Sequence, residues 1–165
     1  MPTRLPFQGN SYYHVYNRGL DKATLFYEEK DFERFLYYFS LGIETYKSDL
    51  GILAYAFLPN HFHIIFHNKR EGHSISRFIS KLTSSYAKYA TAKYGFSTGK
   101  SFFEGRFKSK LITDETYLNQ CIFYVEHNAL KHQLVEKAEE WAWSSYDTSS
   151  HKDGNIEWLE LDREF

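Results

Sequence analysis

The hydrophobic period of this chain changes in a fixed order, and that order restricts its fold more than any other feature. Residues 11–17, SYYHVYN, are rich in β-formers and end at Arg18-Gly19, which reads as a turn. Residues 31–47 then carry Phe32, Phe35, Leu36, Phe39 and Ile43 at helical spacing, with Asp31 near the start. Two β-rich runs follow, 50–57 (LGILAYAF) and 61–67 (HFHIIFH). Leu58-Pro59-Asn60 separates them, so they predict a hairpin. Residues 74–94 predict a long basic helix with Ile75, Phe78, Ile79, Leu82, Tyr86 and Tyr89 on one side. Residues 105–112, GRFKSKLI, alternate as a strand, and 114–130 predict a last helix, with Asp114 and Glu115 favouring its N-terminus. Strand, helix, strand, strand, helix, strand is the split βαβ, ferredoxin-like arrangement of the α+β class. It predicts an antiparallel sheet with helices packed on one face, plus an extra C-terminal helix. The open face then needs a use, and nucleic acid is a common one.

A chain of 165 residues, 42% hydrophobic, suits one domain with a real core. We expect that domain over 1–146, with 147–165 an acidic tail rather than a second domain. The apolar runs fall short of the roughly 20 residues that a membrane helix needs. The start, MPTRLPFQGN, lacks the apolar stretch of a secretory signal. Cys121, the single cysteine, makes no internal disulfide and is one metal ligand at most. A reducing cytoplasm is the simplest expectation.

Net charge is −1, which by itself disfavours a polyanion as partner. The distribution points the other way. Residues 69–110 hold ten Lys or Arg against Glu71 and Glu104, a net +8, leaving −9 for the rest. A basic middle between acidic ends binds a polyanion locally. Aromatic content is 19%, and Phe102, Phe103 and Phe107 lie among Lys100, Arg106, Lys108 and Lys110. Rings beside cations suit unpaired bases, which stack on them.

Two groups of residues carry chemistry. His61 and His63 flank Phe62, and residues i and i+2 of a strand face the same way. Two imidazoles then stand near enough to share one metal ion, while Phe62 and Ile64 anchor the strand in the core. On the last helix, Leu118, Ile122, Val125 and Ala129 form the expected buried stripe, beside Tyr117, Cys121, Tyr124 and Asn128. Tyr124 and Asn128 are one turn apart and project together. A tyrosine and a side-chain oxygen on one helix edge could address a metal-bound phosphate.

LPNHFHIIF resembles the HUH motif of the single-tyrosine transposases. More closely, the chain resembles their REP-associated tyrosine transposase branch. Asn17-Arg18-Gly19, Leu58-Pro59-Asn60-His61-Phe62-His63, Gly105-Arg106-Phe107-Lys108-Ser109, Tyr124-Val125-Glu126-His127-Asn128 and Trp143-Ser144-Ser145-Tyr146 carry the likeness over roughly 11–146. After Asn128 the chain departs from the family, with Ala129 where proline is usual, and His127 is a spare ligand candidate.

The resemblance implies that His61, His63 and Asn128 bind magnesium or manganese and that Tyr124 is the nucleophile. The bound ion would polarise the scissile phosphate for in-line attack, needed because a tyrosine hydroxyl, with a reference pKa of about 10, attacks poorly near neutrality. Attack would leave a 5′-phosphotyrosine and a free 3′-OH, so a second 3′-OH can rejoin strands. The implied partner is single-stranded or hairpin DNA. Lys88, Lys93, Arg106, Lys108 and Lys110 are candidate phosphate contacts, with Arg18 added by the resemblance. Some relatives complete each active site across a homodimer and others act as monomers, so a homodimer stays open.

Other readings compete. A non-catalytic ferredoxin-like module that only holds single-stranded nucleic acid would use the same basic window and rings. A hydrolytic phosphodiesterase would want two separate His motifs, each followed by Ser or Thr, and the chain shows one pair. A closed structural zinc site is poorly supplied by one cysteine.

Overall fold

A computed structural model describes residues 4–97 and 101–146. The acidic tail expected at 147–165, with Trp158, lies outside the described residues, as does Lys100. In chain order the elements are β1 (Ser11–Arg18), α1 (Glu29–Tyr46), β2 (Leu50–Leu58), β3 (His61–Asn68), α2 (Ser74–Tyr94), β4 (Lys108–Ile112), α3 (Glu115–Glu126) and a short α4 (Asn128–Lys131). Single 3-10 turns occupy Leu20–Lys22 and Ala138–Glu140. The strands form one sheet in the order β2-β3-β1-β4, every pair antiparallel. This is the ferredoxin-like order that the element sequence predicts. Among the described residues, no helix is long and apolar enough to cross a membrane.

Alternation sorts each strand's residues onto two faces. Val15, Tyr55, Phe57, Phe62, Ile64 and Phe66 are buried in one core with Phe35, Phe39, Phe78, Leu82 and Tyr86 of α1 and α2. On the other face, Ala54, Ala56, Leu58, Ile65 and Ile112 pack against Leu118, Cys121, Val125 and Ala129 of α3 and α4. The extra C-terminal helix therefore lies across the sheet from α1 and α2. Two alanines on β2 let it come close. It covers only part of that face. Tyr16, His61, His63, Lys108 and Lys110 remain beside it, and there the cleft forms.

Two boundaries differ from expectation. The last strand begins at Lys108, not 105, because Gly105 takes a left-handed φ of 62° and turns the chain before β4. The last helix pauses at His127, with φ −102° and ψ 8°, so Tyr124 and Asn128 sit on either side of a joint rather than on one continuous helix. At this joint the buried Glu126 carboxylate accepts from Ser145 Oγ at 3.0 Å. Residues 141–145 run along the free edge of β2, where Phe57 N donates to Trp143 O at 2.8 Å and Ser145 N to Tyr55 O at 2.9 Å. The Trp-Ser-Ser motif thus covers an otherwise open sheet edge.

Asp31, fully buried, ties α1 to α2. Its carboxylate accepts from Tyr27 N (2.9 Å), Glu28 N (3.2 Å), Tyr89 Oη (3.0 Å), Tyr94 Oη (2.5 Å) and Lys93 Nζ (2.7 Å). Burial by itself would raise its pKa, yet the bonds from Lys93 and Tyr94 outweigh it and the pKa falls below the ordinary value. Asp31→Ala should cost roughly 2–4 kcal/mol, from the lost cap and orphaned hydroxyls. Urea denaturation would measure this, and a loss under about 0.5 kcal/mol would count against the role.

Candidate active site

His61 and His63 are held from the turn that precedes them. Pro59 O accepts from Leu25 N (2.7 Å) and Phe26 N (3.1 Å), and Asn60 O accepts from Gly19 N (2.9 Å). The segment after β1 thereby anchors the Leu58-Pro59-Asn60 turn. Gly19 is required there, since a Cβ would lie 2.1 Å from Ala23 O. The two imidazoles face the same side, with ring centroids 5.2 Å apart.

Each ring is oriented by a neighbour. The Asn60 amide donates from Nδ2 to Lys22 O at 3.4 Å, which turns its Oδ1 toward His61 Nδ1 at 2.7 Å. Nδ1 then carries the proton, and the His61 Nε2 lone pair faces Asn128 Oδ1 at 3.2 Å. Two acceptors meet with no proton between them. Asn128 is fully buried, and its Nδ2 has no partner among the described residues. Rotating this amide would satisfy His61 but orphan the oxygen, so one polar atom of Asn128 stays unmatched in either setting. A cation between Nε2 and Oδ1 resolves the mismatch.

His63 is buried, and its Nδ1 lies 2.8 Å from His14 Nε2. Burial, then the neighbouring His14, push the His63 pKa well below its ordinary value. Burial, then Lys110, lower His14 to about 4. Burial also lowers His61, against the opposing pull of the Asn128 oxygen, which favours the protonated ring. All three rings are therefore neutral near neutrality, the form a metal ligand needs. With Nδ1 engaged by His14, His63 has Nε2 left for a ligand. Among the described residues no three His, Cys, Asp or Glu side chains form a metal cage. The donor set that fits is two imidazoles and one amide oxygen.

Tyr124 completes the group. The residue is 38% exposed, and its ring centroid lies 5.7 Å from that of His63. Lys131 Nζ stands 4.8 Å from the ring centroid. A cleft of about 460 Å³ joins Tyr124 to His61, His63, Tyr16, Arg18 and Lys108. Arg18 is ion-paired with Glu104, with a second contact at 3.1 Å.

The other expected residues divide. Lys110 is exposed on β4, on the face of the imidazoles, with its Nζ 5.8 Å from the Tyr117 ring centroid. Arg106 lines a different cavity. Lys88 is exposed on α2, across the sheet from the cleft. Lys93 is bound to Asp31 and Glu28, so its charge serves the α1–α2 contact. His127 stacks on Phe123, ring centroids 3.8 Å apart, with its Nδ1 2.8 Å from Phe123 O. Cys121 is buried in the α3 core. Sequence reasoning missed His14 and His132, whose ring lies 5.1 Å from that of His61. His14 shares strand parity with Tyr12 and Tyr16, but only the β1–β3 register sets it beside His63.

The fold is a ferredoxin-like sheet with paired histidines and a tyrosine facing one cleft. The chain matches the IS200-like transposase family model over residues 8–128, and it belongs to that family, which places it among the DNA transposases. Its fold is similar to a REP-associated tyrosine transposase solved bound to a REP hairpin, with TM-score 0.65 and 19% identity over 88% of this chain and 82% of that one. It is also similar to a putative transposase from Deinococcus radiodurans, with TM-score 0.50 and 14% identity over 77% and 97% of the two chains. A third likeness is to tRNA(His) guanylyltransferase from Saccharomyces cerevisiae, with TM-score 0.53 and 12% identity over 78% and 62%. At such identities these likenesses show the fold, which hosts more than one chemistry. No curated protein matches the sequence significantly.

Proposed function

We propose that this protein cuts and rejoins single-stranded or hairpin DNA through a covalent bond to Tyr124, using magnesium or manganese held by His61, His63 and Asn128. The observation that carries the reading is the meeting of Tyr124, His63 and His61 around one cleft, with Asn128 directly against His61. When bound, the ion supplies charge to the scissile phosphate and orients it. Tyr124 Oη forms the new bond to phosphorus, and the bond from phosphorus to the 3′ oxygen breaks. The hydroxyl's proton leaves to solvent as the bond forms, with Lys131 Nζ 4.8 Å from the ring centroid. The leaving 3′ oxygen takes up a proton. Arg18 and Lys108 border the cleft where flanking phosphates would lie. The hairpin bound by the REP-associated relative supports the choice of DNA.

The direct test is incubation with hairpin oligonucleotides and manganese, followed by denaturing electrophoresis. We expect a protein–DNA adduct and a shortened strand. Tight binding with neither product would instead favour a non-catalytic binding module.

His14 has a defined part in this reading. For His63 to ligate through Nε2, its proton must sit on Nδ1 and be donated to His14. His14→Ala should weaken manganese binding roughly 10–100-fold, as read by electron paramagnetic resonance titration. An unchanged affinity would remove His14 from the site.

A further inference from the structure

A second cavity, of about 380 Å³, lies between α2 and the turn that leads into β4. Its polar lining includes Arg4, Asn17, His73, Ser76 and Arg106, with no carboxylate among the lining residues. Phe103, Phe107 and Ile79 supply apolar wall. Arg4 is fixed rather than loose. Its guanidinium lies 3.9 Å from the Phe107 ring centroid and donates to Ser109 Oγ (2.9 Å) and Phe107 O (2.6 Å). Burial first, then the charge of Arg106, lower the Arg4 pKa from its ordinary value. Arg4 and Arg106 thus bring two guanidinium groups to one concavity. Ser76, in the wall, has a buried hydroxyl oxygen without a partner among the described residues.

The position of the cavity identifies the anion. Asn17 lines both this cavity and the His61–Tyr124 cleft, and its Nδ2 donates to Gly105 O at 3.3 Å. Glu104 borders the cleft while Gly105 and Arg106 border the second cavity. Gly105 is exposed, and a Cβ there would meet nothing within 4 Å. A strand lying in the cleft can cross this turn without obstruction.

We propose that the Arg4–Arg106 cavity binds one backbone phosphate of unpaired DNA that continues from the Tyr124 cleft across Gly105. The proposal rests on the strand-cutting reading for the identity of the strand, and its test reads binding alone. A pre-oriented planar guanidinium beside a second one matches phosphate geometry, and the neighbouring rings suit the attached base.

The test uses the full chain and a single-stranded hairpin oligonucleotide with long flanks. Neutral methylphosphonate linkages are placed one at a time along each flank, and affinity is read by fluorescence anisotropy. Beyond the positions that Arg18 and Lys108 contact in the cleft, we expect one further position, or two adjacent ones, to weaken binding about 10-fold or more, since a charged phosphate contact is lost there. In Arg4→Ala/Arg106→Ala the normal oligonucleotide should bind that much more weakly, with a salt slope shallower by about one, since one phosphate is no longer neutralised. The methylphosphonate effect at that further position should then vanish. Where the double variant fails to fold, the exposed Arg106→Ala carries the same comparison. Unchanged affinity in the folded variants, or a set of sensitive positions identical to that of the parent chain, overturns the proposal. A chain that shows the position-specific effect yet forms no adduct would sink strand cutting and leave this pocket standing.

Discussion

Tyr124→Phe should abolish both strand cleavage and the protein–DNA adduct, a loss of at least roughly 10⁴-fold, because the nucleophilic oxygen itself is removed. The ring stays, so its contact with His63 and its place beside Lys131 stay with it. Folding and DNA affinity should therefore change little. The control is Tyr117, on the same helix, seven residues earlier. Tyr117 packs against the α3 core and does not line the cleft, so Tyr117→Phe should keep most activity. Denaturing gels with labelled hairpin DNA read all three chains at once. An adduct that survives in Tyr124→Phe and is lost in Tyr117→Phe would reverse the assignment.

Chelation and loss of an imidazole should have the next largest effects. With EDTA present, cleavage should stop, and manganese should restore it. His63→Ala should weaken manganese binding more than roughly 100-fold, beyond the cost of losing a mere orienting partner, and cleavage should fall with it. The fold should survive chelation. Both hydrophobic cores close through side chains alone, one beneath α1 and α2 and one beneath α3, and neither draws on His61 or His63. Calorimetric metal titration and thermal melts separate the two effects. Cleavage that continues at full rate in EDTA would remove the metal from the mechanism.

Much of this was legible in the residue pattern. Each strand and helix is announced by its period, and the boundaries of β1, β2, β3 and α2 agree with it to within a residue or so. The failures sit at two joints. Gly105 interrupts what reads as eight alternating residues, since alternation carries no sign of a left-handed φ. His127 interrupts what reads as one helix, because the pause depends on contacts with residues distant in sequence, such as Glu126 with Ser145. The candidate cations show the same limit. Ten basic residues in one window look like one surface, yet Lys93 is tied to Asp31, Arg106 lines the second cavity and Lys108 borders the cleft.

The sequence by itself determined the order of elements, the side-by-side placement of His61 and His63, and the motif that marks Tyr124. The first two follow from local geometry, in which a strand repeats every two residues and a helix every 3.6, whereas the Tyr124 motif is carried by the family resemblance alone. Only the tertiary structure decided that His14 meets His63, that Asn128 faces His61 and that α3 lies across the sheet from α1 and α2. Those facts depend on the β1–β3 register and on two alanines of β2 that admit α3. Register and helix docking are set by packing between distant segments, where no period along the chain can be read.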